Sequence, residues 1–204
     1  MTPTRVSERR LLSINAGRVA PLFVTEGETA QRVVSGIRKQ PLGRPARVAP
    51  LGIEGDEQAD LSVHGGLDKA VYLYPHEHYV FWNEARARLL RQTTPLSPGA
   101  MGENLTTTGL LETDLWVGDR LQIEEVLLEV TEPRSPCYKF GARMGYAQAA
   151  KQMLQTGYTG IYLSVIQPGV LRPGQYITLL PGQRELSIAQ INHRRLRGRQ
   201  RDLF

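Results

Sequence analysis

Seven short apolar runs set the first limit on this chain. LLSINAG, ARVAPLGI, AVYLYP, LWVGDRLQI, VLLEVTE, GIYLSVI and QYITLLP are separated by glycine, proline and charged residues. Runs of that length suit β-strands, and the punctuation between them suits turns. They do not alternate with helical segments in the βαβ rhythm that builds a parallel sheet. The fold expected is mainly β, a barrel or curved sheet with helices packed outside. In LQIEEVLLEV, Leu121 and Ile123 alternate, and so do Val126, Leu128 and Val130, which predicts a hairpin. Its centre, Glu124-Glu125, is poor chemistry for a tight turn.

Three segments read as helices. After Pro75, a good first helical residue, Tyr79, Trp82, Ala85 and Leu89 recur on one face. A second helix is predicted from about Ala142 to Gln155, stopped by Gly157 as its C-cap. A third starts at Ser187, where Ser187-x-x-Gln190 has the pattern of a capping box. His76 and His78, two apart near the first helix, read as solvated helix surface.

With 204 residues, 41% hydrophobic and 22% charged, the chain can bury a real core. One cysteine excludes an intramolecular disulfide and suits a reducing cytoplasm. The N-terminus MTPTRVSERRLL lacks the marks of a signal peptide, and no apolar stretch is long enough to cross a bilayer. A cytoplasmic protein with no membrane partner is expected. The net charge of +5, concentrated in the C-terminal HRRLRGRQR, favours anionic partners without saying which.

The lone cysteine lies in PRSPCYK, residues 133 to 139. Pro133 and Pro136 fix φ and lack N–H donors, so the segment reads as a stiff loop after a strand. Arg134 and Lys139 bring positive charge to the thiol. An ordinary thiol, of pKa about 8.5, is only about 3% ionised at neutral pH, and neighbouring cations raise that fraction. Thiolate is the form that attacks electrophiles and binds soft metals. By residue chemistry alone Cys137 is either such a group or a small buried hydrophobe.

Two further stretches gather polar groups around glycines. GIEGDEQADLSVHGGLDKAVYLYP places His64, Asp56, Asp68 and Lys69 near two bends, and MGENLTTTGL places Glu103 and Asn104 before a predicted strand. Either is equally readable as turn chemistry. No CxxC, P-loop, dinucleotide fingerprint or GxSxG elbow is present.

Taken in order, GIEGDEQAD…HGGLDKAVYLYPHEHY, GENLTTTGL and VGDRLQI…VTEPRSPCYK resemble the MOSC domain family, in its stand-alone bacterial YiiM-like branch, from about Leu51 to about Leu180. The resemblance implies a MOSC-type β-barrel, related to the barrel domain of pyruvate kinase, with flanking α-helices. It implies a molybdenum cofactor (molybdopterin) with the motif cysteine as metal ligand. The implied activity is reduction of N-hydroxylated small molecules, such as hydroxylaminopurine-type base analogues, with electrons from a reductase partner. Carried over position by position, Cys137 is the molybdenum ligand, and Cys137 and His64 take the catalytic positions. Gly65, Gly66, Lys69, Glu103, Asn104, Arg134, Ser135 and Lys139 take the cofactor-binding ones.

The MOSC-type domain is expected over residues 1–184, with its motif-bearing core over about 36–182. Residues 185–204 read as a short basic helix and tail, the remnant of a C-terminal helical domain that relatives carry. Two other readings stay open. One is persulfide carriage by Cys137. The other is a non-enzymatic basic module acting through Arg194, Arg195, Arg197, Arg199 and Arg201, although arginines also complement the negative end of a helix. Nucleic acid is not the expected partner.

Overall fold

The strand Val71–Pro75 is buried along its whole length. In the computed structural model, which describes residues 8–26, 29–59 and 65–201, Val71 and Leu73 face one hydrophobic core. Tyr72 and Tyr74 face another. The first core fills the hollow of a curled sheet, and the second lies between that sheet and the helices.

In chain order the strands and helices are β1 (Arg10–Ala16), β2 (Ala20–Glu26), β3 (Thr29–Ser35), β4 (Gln40–Pro41), β5 (Ala46–Ala49), β6 (Gly52–Ile53), β7 (Val71–Pro75), α1 (Tyr79–Leu90), β8 (Leu105–Thr108), β9 (Arg120–Ile123), β10 (Val126–Pro133), α2 (Tyr138–Met144), α3 (Ala149–Thr156), β11 (Ile161–Gln167), β12 (Gly169–Leu171), β13 (Thr178–Leu180) and α4 (Ile188–Arg201). Eight strands form one sheet in the order β13-β9-β10-β11-β7-β8-β1-β4, beside a three-stranded sheet, β12-β5-β6, and the β2–β3 hairpin. Within the large sheet only β7 and β8 run parallel. A parallel pair needs a crossover connection, and α1 lies in that connection.

The sheet curls toward closure. The Leu11 amide donates to the Gln175 carbonyl at 3.0 Å, Gly174 to Leu11 at 2.7 Å, and Ile177 to Arg9 at 2.9 Å. The segment that makes these bonds runs directly into β13, which pairs with β9. One strip of chain thus bridges β1 to the far side of the sheet, and the fold is a mainly β half-barrel with four flanking α-helices among the described residues. Leu11, Leu105, Leu121, Leu128 and Ile161 fill the hollow. Trp82, Met101, Phe140 and Met153 pack on the outer face, where the Trp82 indole donates to the Tyr74 hydroxyl at 2.6 Å.

Several expectations hold. Ile123 pairs with Val126, so the hairpin forms with Glu124-Glu125 as its turn, and Glu124 adopts φ 49° to make it. Ser187 and Gln190 make both bonds of the capping box, at 3.0 and 3.1 Å. Gly157 caps α3 with φ 73°.

Other expectations need correction. The helix predicted over about 142–155 is two helices, because Gly145 turns left-handed (φ 88°) and ends α2. ARVAPLGI is not one strand but the pair β5 and β6, folded back on each other. The β2–β3 hairpin has no counterpart among the predicted strands. His78 is not solvated: it is buried, 2.7 Å from the Glu112 carboxylate and stacked on Tyr158 at 3.8 Å. Glu112, far away in sequence, supplies the partner that burial of an imidazole requires. No helix among the described residues is long and apolar enough to cross a membrane.

Candidate active site

Where β10 ends at Pro133, the chain turns through Arg134–Cys137 and enters α2. Cys137 is the N-cap residue of α2, with φ −117° and ψ 176°, and its carbonyl accepts the Phe140 N–H at 2.9 Å. The proline-stiffened loop therefore delivers the thiol to a fixed place, half-buried, at the head of a helix.

Arg134 anchors that loop from within. Its guanidinium is buried, donates to the Met101 carbonyl, and lies 4.8 Å from the Tyr72 ring centre and 5.4 Å from that of Phe140. Burial works against its charge. The oxygens of Tyr72 and Tyr162 and the sulfur of Cys137 more than offset that, so its pKa is raised and it stays a cation. Burial likewise pushes the Tyr72 and Tyr162 phenols up, so both rings stay neutral beside it. Their centres are 5.3 Å apart.

Cys137 opens into a cleft enclosing about 660 Å³ of space free of protein atoms, part of it open to solvent. Lys39, Lys69, Arg134 and Lys139 line it as cations, against the carboxylates of Asp56 and Glu57. Lys69 lies 3.3 Å from Glu132, and Lys139 donates to the Val34 carbonyl at 3.1 Å. Asp56 is fully engaged. It forms a buried ion pair with Lys39 and accepts from the Gly17 amide at 2.9 Å and from Asn104 Nδ2 at 2.8 Å. Burial lowers the Lys39 pKa, and the Asp56 carboxylate opposes that shift.

The residues predicted from the sequence do not all reach the cleft. Cys137, Arg134, Lys139, Lys69 and Asn104 line the cleft together. Asn104 is also a clasp: its side chain accepts from the Tyr72 amide at 3.1 Å while donating to Asp56. Glu103 and Ser135 are not among the lining residues. The Glu103 carboxylate is fully buried and accepts from the Tyr79 hydroxyl, the Gly99 amide at 2.7 Å, the Met101 amide at 3.0 Å and Thr106 Oγ1 at 2.7 Å. Burial raises its pKa and these bonds oppose the rise. Ser135 is exposed. Gly66 (φ 86°) gives its N–H to Gln58 Oε1 at 3.0 Å, and Gln58, unlike Gly65 and Gly66, lines the cleft. His64 lies outside the described residues.

The sequence reading does not select Lys39, Tyr72, Tyr162 or Gln58, and it notes Asp56 without assigning it to the site. The tyrosines read as strand hydrophobics, and only the two-sided burial of β7 reveals that one face serves the cleft.

No three His, Cys, Asp or Glu side chains among the described residues gather as a metal-holding group. A cofactor that carries its own metal ligands asks the cleft for a single protein donor, which Cys137 can supply. The cleft's chemistry fits a preformed molybdenum cofactor in that respect: one soft thiol for the metal and cations for a phosphate.

Fold and site together define a mainly β half-barrel domain carrying one thiol in a basic cleft at a strand-to-helix loop. A profile of the MOSC domain matches residues 60–178, and the chain belongs to the MOSC domain family, in its YiiM-like branch. It is 41% identical to the protein YiiM of Escherichia coli strain K12 over 144 residues, 65% of this chain and 63% of that one. A protein of Gibberella moniliformis named Reductase is 36% identical over 171 residues, 83% of this chain. The match spans only 29% of that fungal protein. The crystal structure of YiiM from Geobacillus stearothermophilus superposes with a TM-score of 0.72 at 34% identity, covering 94% of this chain and 85% of that one.

Proposed function

We propose that the cleft holds the molybdenum cofactor through Cys137, and that the protein reduces N-hydroxylated small molecules, hydroxylaminopurine-type base analogues among them, with electrons from a reductase partner. The observation that carries this reading is the convergence of the only thiol with Lys69, Arg134 and Lys139 on one cleft. Membership of the MOSC domain family supports it. The name of the fungal relative, Reductase, supports a reductive activity.

When bound, the cofactor would supply the two-electron redox chemistry. The chain's own residues supply the rest. Cys137 presents its sulfur from a loop that Pro133 and Pro136 stiffen and the Arg134–Met101 bond anchors. Lys69 and Lys139 act as point charges toward a phosphate, while Arg134 keeps a permanent charge behind the thiol. Conversion of N–OH to N–H with release of water consumes two electrons and two protons. Lys39, a buried cation on the cleft wall with a lowered pKa, is placed to supply one of these protons, the other coming from water in the open part of the cleft. His64, catalytic by motif, precedes the Gly65-Gly66 bend in the chain.

The test is reduction of hydroxylaminopurine under anaerobic conditions, using protein made in a cofactor-sufficient host and a supplied electron donor. The wild-type protein should yield the amine and Cys137→Ala should not. Equal product from both would overturn the proposal.

A further inference from the structure

Besides Nε of Arg9, two buried guanidinium nitrogens, Nε of Arg86 and Nε of Arg143, have no hydrogen-bond partner among the described residues. Both arginines line a second cleft, which shares only Lys39 with the first. Arg86 comes from α1 and Arg143 from the end of α2, so two helices bring them together. Thr94 and Ser97 add hydroxyls from the loop between α1 and β8, and among the described residues no Asp or Glu lines the cleft. It encloses about 510 Å³ of space free of protein atoms, partly open to solvent.

Among the described residues, neither Arg86 nor Arg143 forms an ion pair, and nor does the neighbouring Arg38. Arg86 has one neutral partner, Gln92, at its Nη2. Burial lowers the Arg143 pKa and the positive charges of Arg38 and Arg86 lower it further, partly opposed by the Glu103 carboxylate and by Tyr79. Basic residues near helix C-termini complement the helix dipole, which accounts for arginines on α1 and α2. It does not account for burying their Nε atoms unpaired, since an unmet buried donor is costly.

We infer that this second cleft binds a phosphate-class anion. Two guanidinium forks match the several acceptor oxygens and double charge of a phosphate, and lose their mutual repulsion when one lies between them. The inference does not depend on what the Cys137 cleft holds.

Calorimetric titration of the wild-type protein with inorganic phosphate, at fixed ionic strength, tests it. A saturable site is expected that weakens about tenfold or more in Arg86→Gln and Arg143→Gln, and persists in Lys139→Gln, which alters the first cleft. A parallel titration with adenosine monophosphate separates the sources: tighter binding points to a phosphate ester, weaker binding to the free anion. No saturable heat with either ligand, or binding untouched by both arginine substitutions, overturns the inference. A second measurement needs no variant. Phosphate should slow phenylglyoxal modification of Arg86 and Arg143, read by mass spectrometry, while leaving the exposed Arg44 unchanged. Equal protection at all three, or none, contradicts the site.

Discussion

Arg195 reaches back from α4 to Glu132 on β10, placing its Nη2 2.6 Å from Oε2 of the carboxylate. The same guanidinium donates to the Pro133 carbonyl at 2.6 Å, and the other Glu132 oxygen lies 3.3 Å from Lys69 Nζ. The C-terminal helix is thereby tied to the strand end that becomes the Cys137 loop and to one cation of the cleft. One of the arginines that a basic binding module would use is thus already engaged within the fold.

This link predicts a pH-dependent stability. Burial works against the Glu132 charge, but the bonds from Arg195 and Lys69 outweigh it and its pKa is lowered. A carboxyl depressed in the folded state contributes stability above its unfolded value and loses it as pH falls through the folded one. Glu132→Gln should cost about 1 kcal/mol at pH 7, a figure kept small because the pair is partly exposed. The difference should fade as pH drops below the unperturbed value of about 4.3. Urea unfolding of both proteins across that range checks it; a gap independent of pH would contradict it.

The Lys39–Asp56 pair should be strongly coupled. Lys39→Met leaves a buried carboxylate with only the Gly17 and Asn104 donors, and should destabilise the fold by about 3 kcal/mol. Adding Asp56→Asn should restore part of that loss, with a coupling energy above about 0.5 kcal/mol in a double-mutant cycle. Additive losses would mean that the two side chains act independently.

Gly102 sits on the cleft wall with φ 83°, and a Cβ there would lie 2.8 Å from Cγ1 of Ile37. Gly102→Ala combines a left-handed backbone with a close approach. It should cost about 1–3 kcal/mol in a denaturant titration, and a neutral result would show that the Ile37 loop yields freely.

What is legible in the sequence depends on what each residue touches. The PRSPCYK loop is readable because proline writes its constraint into the sequence, and Cys137 does stand in a loop between strand and helix. The capping box at Ser187 is readable for the same reason: cap chemistry is local. Glu103 belongs to a cofactor shell by motif, yet its four donors come from Tyr79, Gly99, Met101 and Thr106. Motif membership does not distinguish a residue that touches a ligand from one that holds the loop beside it. Lys39 escapes notice because its partner, Asp56, is 17 positions away. The β2–β3 hairpin escapes because its residues alternate weakly, with Phe23 and Val34 exposed.

The most direct measurement is the molybdenum content of protein purified from a cofactor-sufficient host, wild-type beside Cys137→Ala, with unfolding curves recorded on both. The account predicts near-equimolar molybdenum in the wild-type protein, almost none in the variant, and little change in stability, because Cys137 is half-buried at a helix start and stands outside both hydrophobic cores. Equal molybdenum in both proteins, or none in either, would contradict it.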